Sequence, residues 1–332
     1  MDADTMPLRV LFNTYPLAFA CPGGGEVQLQ SCREALQRRG IIVELFDPWH
    51  PQFDQADVVH FFSVQGGSIP FCDYVKRRGL PLVLSPILWL GEDKHDYALE
   101  EIGALLRLCD LALPNSVEEG RLLATYYGLE DAKFVPIVNG ADVRFHLPAD
   151  PRLFRETYGV NGEFLLCLAN IEPRKNQLQL IRAVRDLTMP VLLVGRIRDT
   201  VYWEACQQEL PPNVRYLGPI EFASELHRSA YCACSLFVLP TRLETPGLAA
   251  LEAAALGARI CITREGCTRE YFGEEASYVD PDDPADILRG IREALTRLRT
   301  DTLSRTVRKR YTWDRAAEQL ASVYTRLTGK PC

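Results

Sequence analysis

Residues 239–257 read LPTRLETPGLAALEAAALG, and the course of the backbone here sets the expectation for the whole chain. The apolar run 234–240 (CSLFVLP) has the length and composition of a strand covered on both faces. A short loop then carries Glu244. A helix is expected to begin near Pro246 and Gly247 and to stop at Gly257, because proline fits a first helical turn and glycine a helix end. Strand, short loop and helix form the repeating unit of a parallel α/β sheet, and such sheets bind ligands beyond the carboxyl ends of their strands. The N–H groups at this helix start, reinforced by the helix dipole, offer a site for an anion. Glu252 lies eight residues past Glu244, among alanines and leucines. A carboxylate in such surroundings is costly unless a partner satisfies it, and a ribose diol, with two hydroxyl donors, is a suitable one. The plainer readings are a solvent-facing helix residue for Glu252 and an ordinary loop acid for Glu244.

The same alternation extends in both directions. Toward the N-terminus, RVLFN (9–13) reads as a first strand, followed by Gly23-Gly24-Gly25 and a helix over 26–39 stopped by Gly40. Further strands are expected at 41–46 (IIVELF), 57–62 (DVVHFF), 81–85 (PLVLS), 111–114 (LALP) and 133–138 (KFVPIV). Residues 139–162 show no strand signal and read as a linker. The alternation then restarts at 164–169 (FLLCLA), 190–195 (PVLLVG), 214–218 (VRYLG), 234–240, 258–263 (ARICIT) and 276–280 (ASYVD), and the tail 283–328 reads as helices. Two successive βαβ series imply an α/β protein of two doubly wound, Rossmann-like domains facing each other across a cleft.

Composition narrows the function classes. The chain has 332 residues, 47% hydrophobic and 24% charged, which suits a globular protein of two domains. No apolar run reaches the eighteen residues a membrane span needs, and the N-terminus lacks a basic-then-apolar leader, so a cytoplasmic location is expected. Net charge is −7, against nucleic acid as the main partner. Residues 1–150 carry 12 Lys/Arg against 21 Asp/Glu, and residues 151–332 carry 25 against 23, so the second half suits a small anion better than the first. The eleven cysteines are scattered with no CxxC pair and no zinc spacing, and they read as reduced structural thiols.

Two further segments bear chemistry. Asn170-Ile-Glu-Pro-Arg-Lys-Asn176 follows FLLCLA directly, which puts the cations Arg174 and Lys175 at a strand-to-helix loop. With the helix N–H groups after Glu244 they describe a diphosphate clamp, whereas the plain reading is a solvated pair. Cys21-Pro-Gly-Gly-Gly-Glu26 follows the first strand, and its glycines let a loop lie against a ligand or form a plain turn. It is not GxGxxG, so dinucleotide binding of the oxidoreductase kind is disfavoured.

Together these residues resemble the GT-B glycosyltransferases, in particular the retaining family 4 group. The resemblance rests on Glu244 and Glu252 with seven residues between them, on EPRKN at 172–176, on GGGE at 23–26 and on Val138-Asn-Gly-Ala-Asp142 near the domain junction, and it covers residues 8–328. It implies that Lys175 and Arg174 hold the donor diphosphate, Glu244 contacts the donor sugar and Glu252 hydrogen-bonds the ribose. It also implies that the backbone of Thr245, Pro246, Gly247 and Leu248 wraps sugar and phosphate, and that Gly23, Gly24, Gly25 and Glu26 form the acceptor-side loop. Retention in this group is explained by front-face attack, with the leaving phosphate taking the acceptor proton and no carboxylate nucleophile pair.

The sequence departs from the group's pattern at three places. Asn170 stands where relatives carry an arginine, with Arg174 as its expected substitute. LSPILW at 84–89 stands where relatives carry an active-site histidine, a role not assigned to the nearby His95. Pro246-Gly247 stands for the usual aromatic-glycine pair.

The expected function is therefore a retaining transferase moving a hexose-type sugar from a GDP- or UDP-sugar to a saccharide or lipid-linked saccharide in surface polysaccharide synthesis. The rivals are a nucleotide-sugar epimerase or hydrolase on the same fold, and a non-catalytic nucleotide-sugar-binding protein. No metal and no cofactor is expected, since the nucleotide sugar is a substrate. The expected domains are 1–145 for acceptor, 146–312 for donor and a helix 313–332 packing back toward the first. Elsewhere bland readings prevail: His60 as a satisfied strand residue, His227 as a helix-surface residue, and Asp280-Pro-Asp282 as helix capping rather than a metal motif. Lys76-Arg77-Arg78 reads as a solvated helix end, with contact to anionic lipid at the inner membrane face as its rival.

Overall fold

The computed structural model describes residues 7–20, 22–64, 67–91, 94–95 and 97–331; of the residues named above, Cys21 lies outside them. The chain divides into two compact units, one formed by residues 1–139 and 313–332 and the other by residues 140–312.

In the first unit the elements run β1 (Arg9–Thr14), α1 (Gly24–Arg38), β2 (Ile42–Leu45), β3 (Val58–Phe62), α2 (Ile69–Arg77), β4 (Leu82–Ser85), α3 (Leu99–Leu108), β5 (Leu111–Ala112) and α4 (Val117–Tyr127). The sheet order is β2-β1-β3-β4-β5, all parallel, with Val10 opposite Val43 and Val58. Near-continuous apolar strands are what a sheet covered by helices needs, and Leu11, Val59, Phe61, Leu84, Leu105 and Leu123 form one core. Local chemistry sets the helix starts. Ser116 accepts from the Glu119 N–H at 2.9 Å, and the buried Glu119 carboxylate ties the Leu88 and Asn115 N–H groups at 3.0 and 2.8 Å.

The expected strand at 133–138 is absent. Only a single bridge, Phe134 to Ala112, forms beside the short β5: the Val135 and Ile137 N–H groups donate to the Ala112 and Pro114 carbonyls, each at 2.9 Å, but Pro114 has no N–H with which to complete the ladder.

The chain's last helix, Trp313–Thr328, belongs to this unit. It is held through His60 at the centre of β3. Nδ1 lies 2.7 Å from the Tyr324 hydroxyl and Nε2 lies 2.9 Å from that of Ser85. Both ring nitrogens are satisfied, and the ring stacks on Phe62. Burial holds this imidazole down to about 3. The unfolded chain takes up a proton near pH 6.5 and the folded chain does not. Stability from His60 is therefore complete above pH 6.5 and is lost as pH falls toward 3. At pH 5 the loss should be about 2 kcal/mol. Urea denaturation at pH 8 and pH 5 should show a larger drop for the native chain than for His60→Asn, and equal drops would refute the assignment.

The second unit continues with α5 (Pro151–Tyr158), β6 (Leu165–Leu168), α6 (Gln177–Ala183), β7 (Val191–Val194), α7 (Thr200–Gln208), β8 (Val214–Tyr216), α8 (Glu225–Ala233), β9 (Leu236–Leu239), α9 (Leu248–Ala255), β10 (Ile260–Thr263), α10 (Thr268–Phe272), β11 (Ala276–Val279), α11 (Pro284–Thr296) and α12 (Thr302–Arg310). Its sheet, β11-β10-β9-β6-β7-β8, is again wholly parallel. Order reverses between β6 and β9, the switch point where open α/β sheets bind ligands.

The stretch read as a linker contains α5. Asp150 caps it by accepting from the Arg152 N–H at 2.9 Å, Pro151 opens it, and Phe154 buries its apolar face, with Ser229 accepting from its N–H at 2.9 Å. At the other end of the unit Asp283 caps α11, Asp280 pairs with Arg264, and the Asp280 N–H is tied to Asp286 at 2.7 Å.

Candidate functional site

The loops leaving β6 and β9, the two strands at the switch point, meet side by side. The Arg242 N–H donates to the Arg174 carbonyl at 3.0 Å. Across this seam Lys175 Nζ reaches Glu244 Oε1 at 2.5 Å, with the side chains only 15% and 7% exposed. For Glu244, burial favours the neutral acid, but the charges of Lys175 and then Arg174 outweigh it and hold the carboxyl below its usual range. Burial pulls the Lys175 ammonium down, and Glu244 counters this only in part. Arg174 is exposed and lies 3.6 Å from Glu172, which also pairs with Arg198 at 3.1 Å. One cation is thus buried on a carboxylate and the other stands at the surface beside it.

Asn176 makes this arrangement possible and was not singled out by sequence. It is buried in a left-handed conformation (φ +61°), where asparagine is better tolerated than most residues. Its Nδ2 donates to the carbonyls of Pro240 at 3.0 Å and Pro281 at 2.7 Å, tying the loops after β6, β9 and β11 together. An asparagine directly before a helix start was the only signal available. Asn170 is half-buried, and its carbonyl accepts from Gln177 Nε2 at 2.7 Å.

Glu244 is also fixed through its backbone. Its N–H donates to the Glu265 carbonyl at 3.3 Å, and its own carbonyl accepts from the Cys267 N–H at 3.1 Å. Gly266 allows this embrace: at φ +94° its position could not hold a side chain, because a Cβ would lie 2.0 Å from the Glu244 oxygen.

After Glu244 the chain turns through Thr245 and Pro246, joined by a cis peptide bond, to Gly247 at φ +97°. The helix begins only there, so Pro246 stands before α9 rather than in its first turn as the sequence suggested. Leu248 is the first helical residue, and helix geometry leaves the leading N–H groups without intrahelical acceptors.

Glu252 is buried on α9. Oε2 accepts from the Tyr231 hydroxyl at 3.3 Å. Burial pushes its carboxyl up to about 8, Tyr231 and Arg144 working against this and Asp142 with it. Lys175 and Glu244 are thus brought together, while Glu252 stands apart on its own phenol. His227, expected on a helix surface, is buried: Phe145, Phe222 and Tyr231 pack around its ring, and Nδ1 accepts from the Ala223 N–H at 3.1 Å. Tyr231 lies one turn on in the same helix and Phe222 five residues back, while Phe145 comes from a distant segment that the helical pattern of 224–231 does not show.

The glycine loop lies in the first unit. Glu26 accepts from the Gly23 N–H at 2.6 Å and from the Tyr15 hydroxyl at 3.1 Å, so its carboxylate closes the start of its own helix. A Cβ on Gly24 would meet nothing within 4 Å, and one on Gly25 only Ile87 at 3.5 Å. This face of the loop is open to an approaching molecule. Each cation of the 76–78 cluster has a carboxylate partner: Lys76 with Asp110, Arg77 with Asp73 and Arg78 with Asp54. No helix among the described residues is long and apolar enough to cross a membrane.

Residues 162–297, which include Lys175, Glu244 and Glu252, match the family model described as Glycosyl transferases group 1. A D-inositol 3-phosphate glycosyltransferase of Geodermatophilus obscurus is 28% identical over 239 residues, covering 65% of this chain and 52% of that protein. The chain therefore spans about half the length of that curated relative. Among solved structures, sucrose-phosphate synthase from Thermosynechococcus elongatus superposes with a TM-score of 0.80 at 18% identity, over 97% of this chain and 99% of that one. Anabaena HepE in complex with UDP and glucose gives 0.77 at 17%, over 96% and 100%. The likeness shows the fold, which is GT-B.

Proposed function

We propose that this chain is a glycosyltransferase that takes a hexose-type sugar from a GDP- or UDP-sugar and passes it, with retention of configuration, to a saccharide or lipid-linked saccharide. The observation that carries the reading is the buried Lys175–Glu244 pair at the switch point, beside the start of α9. When a diphosphate leaves, negative charge grows on its oxygens. Lys175, Arg174 and the N–H groups that open α9 are preorganised donors for that charge. Glu244 favours the ionised form of Lys175 and, in this reading, contacts the donor sugar. The turn Thr245-Pro246-Gly247-Leu248 presents backbone rather than bulky side chains to them. Glu252, farther along α9, accepts hydrogen bonds from the ribose. Gly23, Gly24 and Gly25 serve the acceptor side, and Glu26 supports them by closing its helix. The HepE complex with UDP and glucose supports a nucleotide-sugar donor, and the named relative supports glycosyl transfer. Family 4 membership, a role in surface polysaccharide synthesis and a cytoplasmic location belong to the same reading. The chemistry described needs no metal.

Calorimetric titration with UDP and GDP, followed by a mass-spectrometric screen of nucleotide sugars with glycan acceptors, tests this. Transfer with the donor's anomeric configuration kept in the product, read by NMR, is the expected result. Donor turnover without acceptor would favour the epimerase or hydrolase alternative, and nucleotide binding with no turnover the binding protein. In the same titration Glu252→Ala should weaken nucleotide affinity by about tenfold or more, as loss of charge-assisted hydrogen bonds does. Unaltered affinity would refute the ribose role.

A further inference from the structure

We propose that Tyr231 is the positioning residue for Glu252: its hydroxyl holds one carboxyl oxygen so that the other stays available to the vicinal hydroxyls of the ribose. This rests on the reading of Glu252 given above. Tyr231 lies in α8, fully buried, and its ring is boxed by Phe145, His227 and Phe237 with centroids 5.8, 5.0 and 5.5 Å away. A ring so enclosed cannot swing, so its hydroxyl is a fixed donor. That hydroxyl reaches Glu252 Oε2 at 3.3 Å, and Oε1 has no hydrogen-bond partner among the described residues. A glutamate on a helix surface of alanines has several staggered rotamers of similar energy. A single rigid donor selects among them.

No cation lies within ion-pairing distance of Glu252 among the described residues. Tyr231 faces it from α8, and Asp142 and Arg144, paired at 2.9 Å, influence it from the turn Val143–His146 and its cap. Arg308 of α12 is engaged with the Ala255 carbonyl at 2.7 Å. The phenol is therefore the one hydrogen bond that favours the ionised carboxyl, the form with most capacity to accept from a diol.

The test is nucleotide affinity as a function of pH. Affinity of the native chain for UDP or GDP should rise with pH between about 6.5 and 9 as Glu252 ionises. Tyr231→Phe keeps the ring. It should weaken binding about five- to tenfold at pH 7.5 and move the midpoint upward by about half a unit or more. A purely structural role would leave that midpoint in place. Difluorotyrosine at position 231, a stronger donor of almost the same shape, should move it down and guards against a poorly folded Phe variant. Glu252→Gln should abolish the pH dependence and weaken binding. If Glu252→Gln weakens binding while both Tyr231 variants keep the native affinity and midpoint, the positioning role is wrong and the ribose reading stands. If Glu252→Gln changes nothing, the ribose reading falls and the inference falls with it.

Discussion

Lys175→Met is expected to lower kcat and kcat/KM for the nucleotide-sugar donor by at least about a hundredfold, the size of effect seen when one preorganised charge stabiliser is removed. The argument has two parts. The substitution removes the cation proposed to meet the leaving diphosphate, and it strands Glu244, whose carboxylate lies buried 2.5 Å from that ammonium. Breaking such a pair from one side costs about 3–5 kcal/mol. The pH dependence follows from the same geometry. In the native chain Glu244 is held below its ordinary range by Lys175 and Arg174, so its contribution is complete above the unfolded value of 4.5 and is lost as pH falls through the folded one. In the variant burial acts with less opposition, the folded carboxyl is raised, and stability is lost as pH rises. The deficit against the native chain should widen between about pH 4 and pH 7. Lys175→Met with Glu244→Gln should recover much of the stability and none of the turnover. Unchanged kinetics in the single variant would remove Lys175 from the site.

The second large effect is expected from a residue with no functional group. In Gly266→Ala the new methyl would lie 2.0 Å from the Glu244 carbonyl oxygen, at a φ of +94° that alanine adopts only with strain. Backbone must move, at a cost of about 2–4 kcal/mol. What moves is the segment whose hydrogen bonds hold Glu244 on both sides. Loss of thermal stability should therefore come with loss of turnover. Heating curves and donor kinetics on the same preparation check this. Native activity together with native stability would mean that the loop after β10 does not fix Glu244.

The alternation of apolar runs and helices was enough to place the strands within a residue or two, because a buried parallel sheet writes its pattern locally. It failed where a local signal was overruled or overlooked. KFVPIV has the composition of a strand, but Pro114 beside it has no N–H with which to complete the ladder. The supposed linker was marked as a helix by Asp150, Pro151 and Gly159, signals outweighed by its lack of a strand pattern. Lys175 and Glu244 could each be picked from their motifs, yet they are 69 residues apart and nothing in the spacing says they touch. Asn176, Gly266 and Tyr231 were out of reach for a different reason. Their importance comes from what they hold in place, and that exists only once distant loops have met.

The first unit is written in two pieces, 1–139 and 313–332, around an uninterrupted second one. All five strands of its sheet lie in the first piece, so that sheet can pair before residues 140–312 follow. His60 has no Tyr324 to meet until the whole of residues 140–312 has been made. The unit that begins first is therefore completed only after the second: the helix that covers its sheet, and the partner of His60, lie beyond it in the chain.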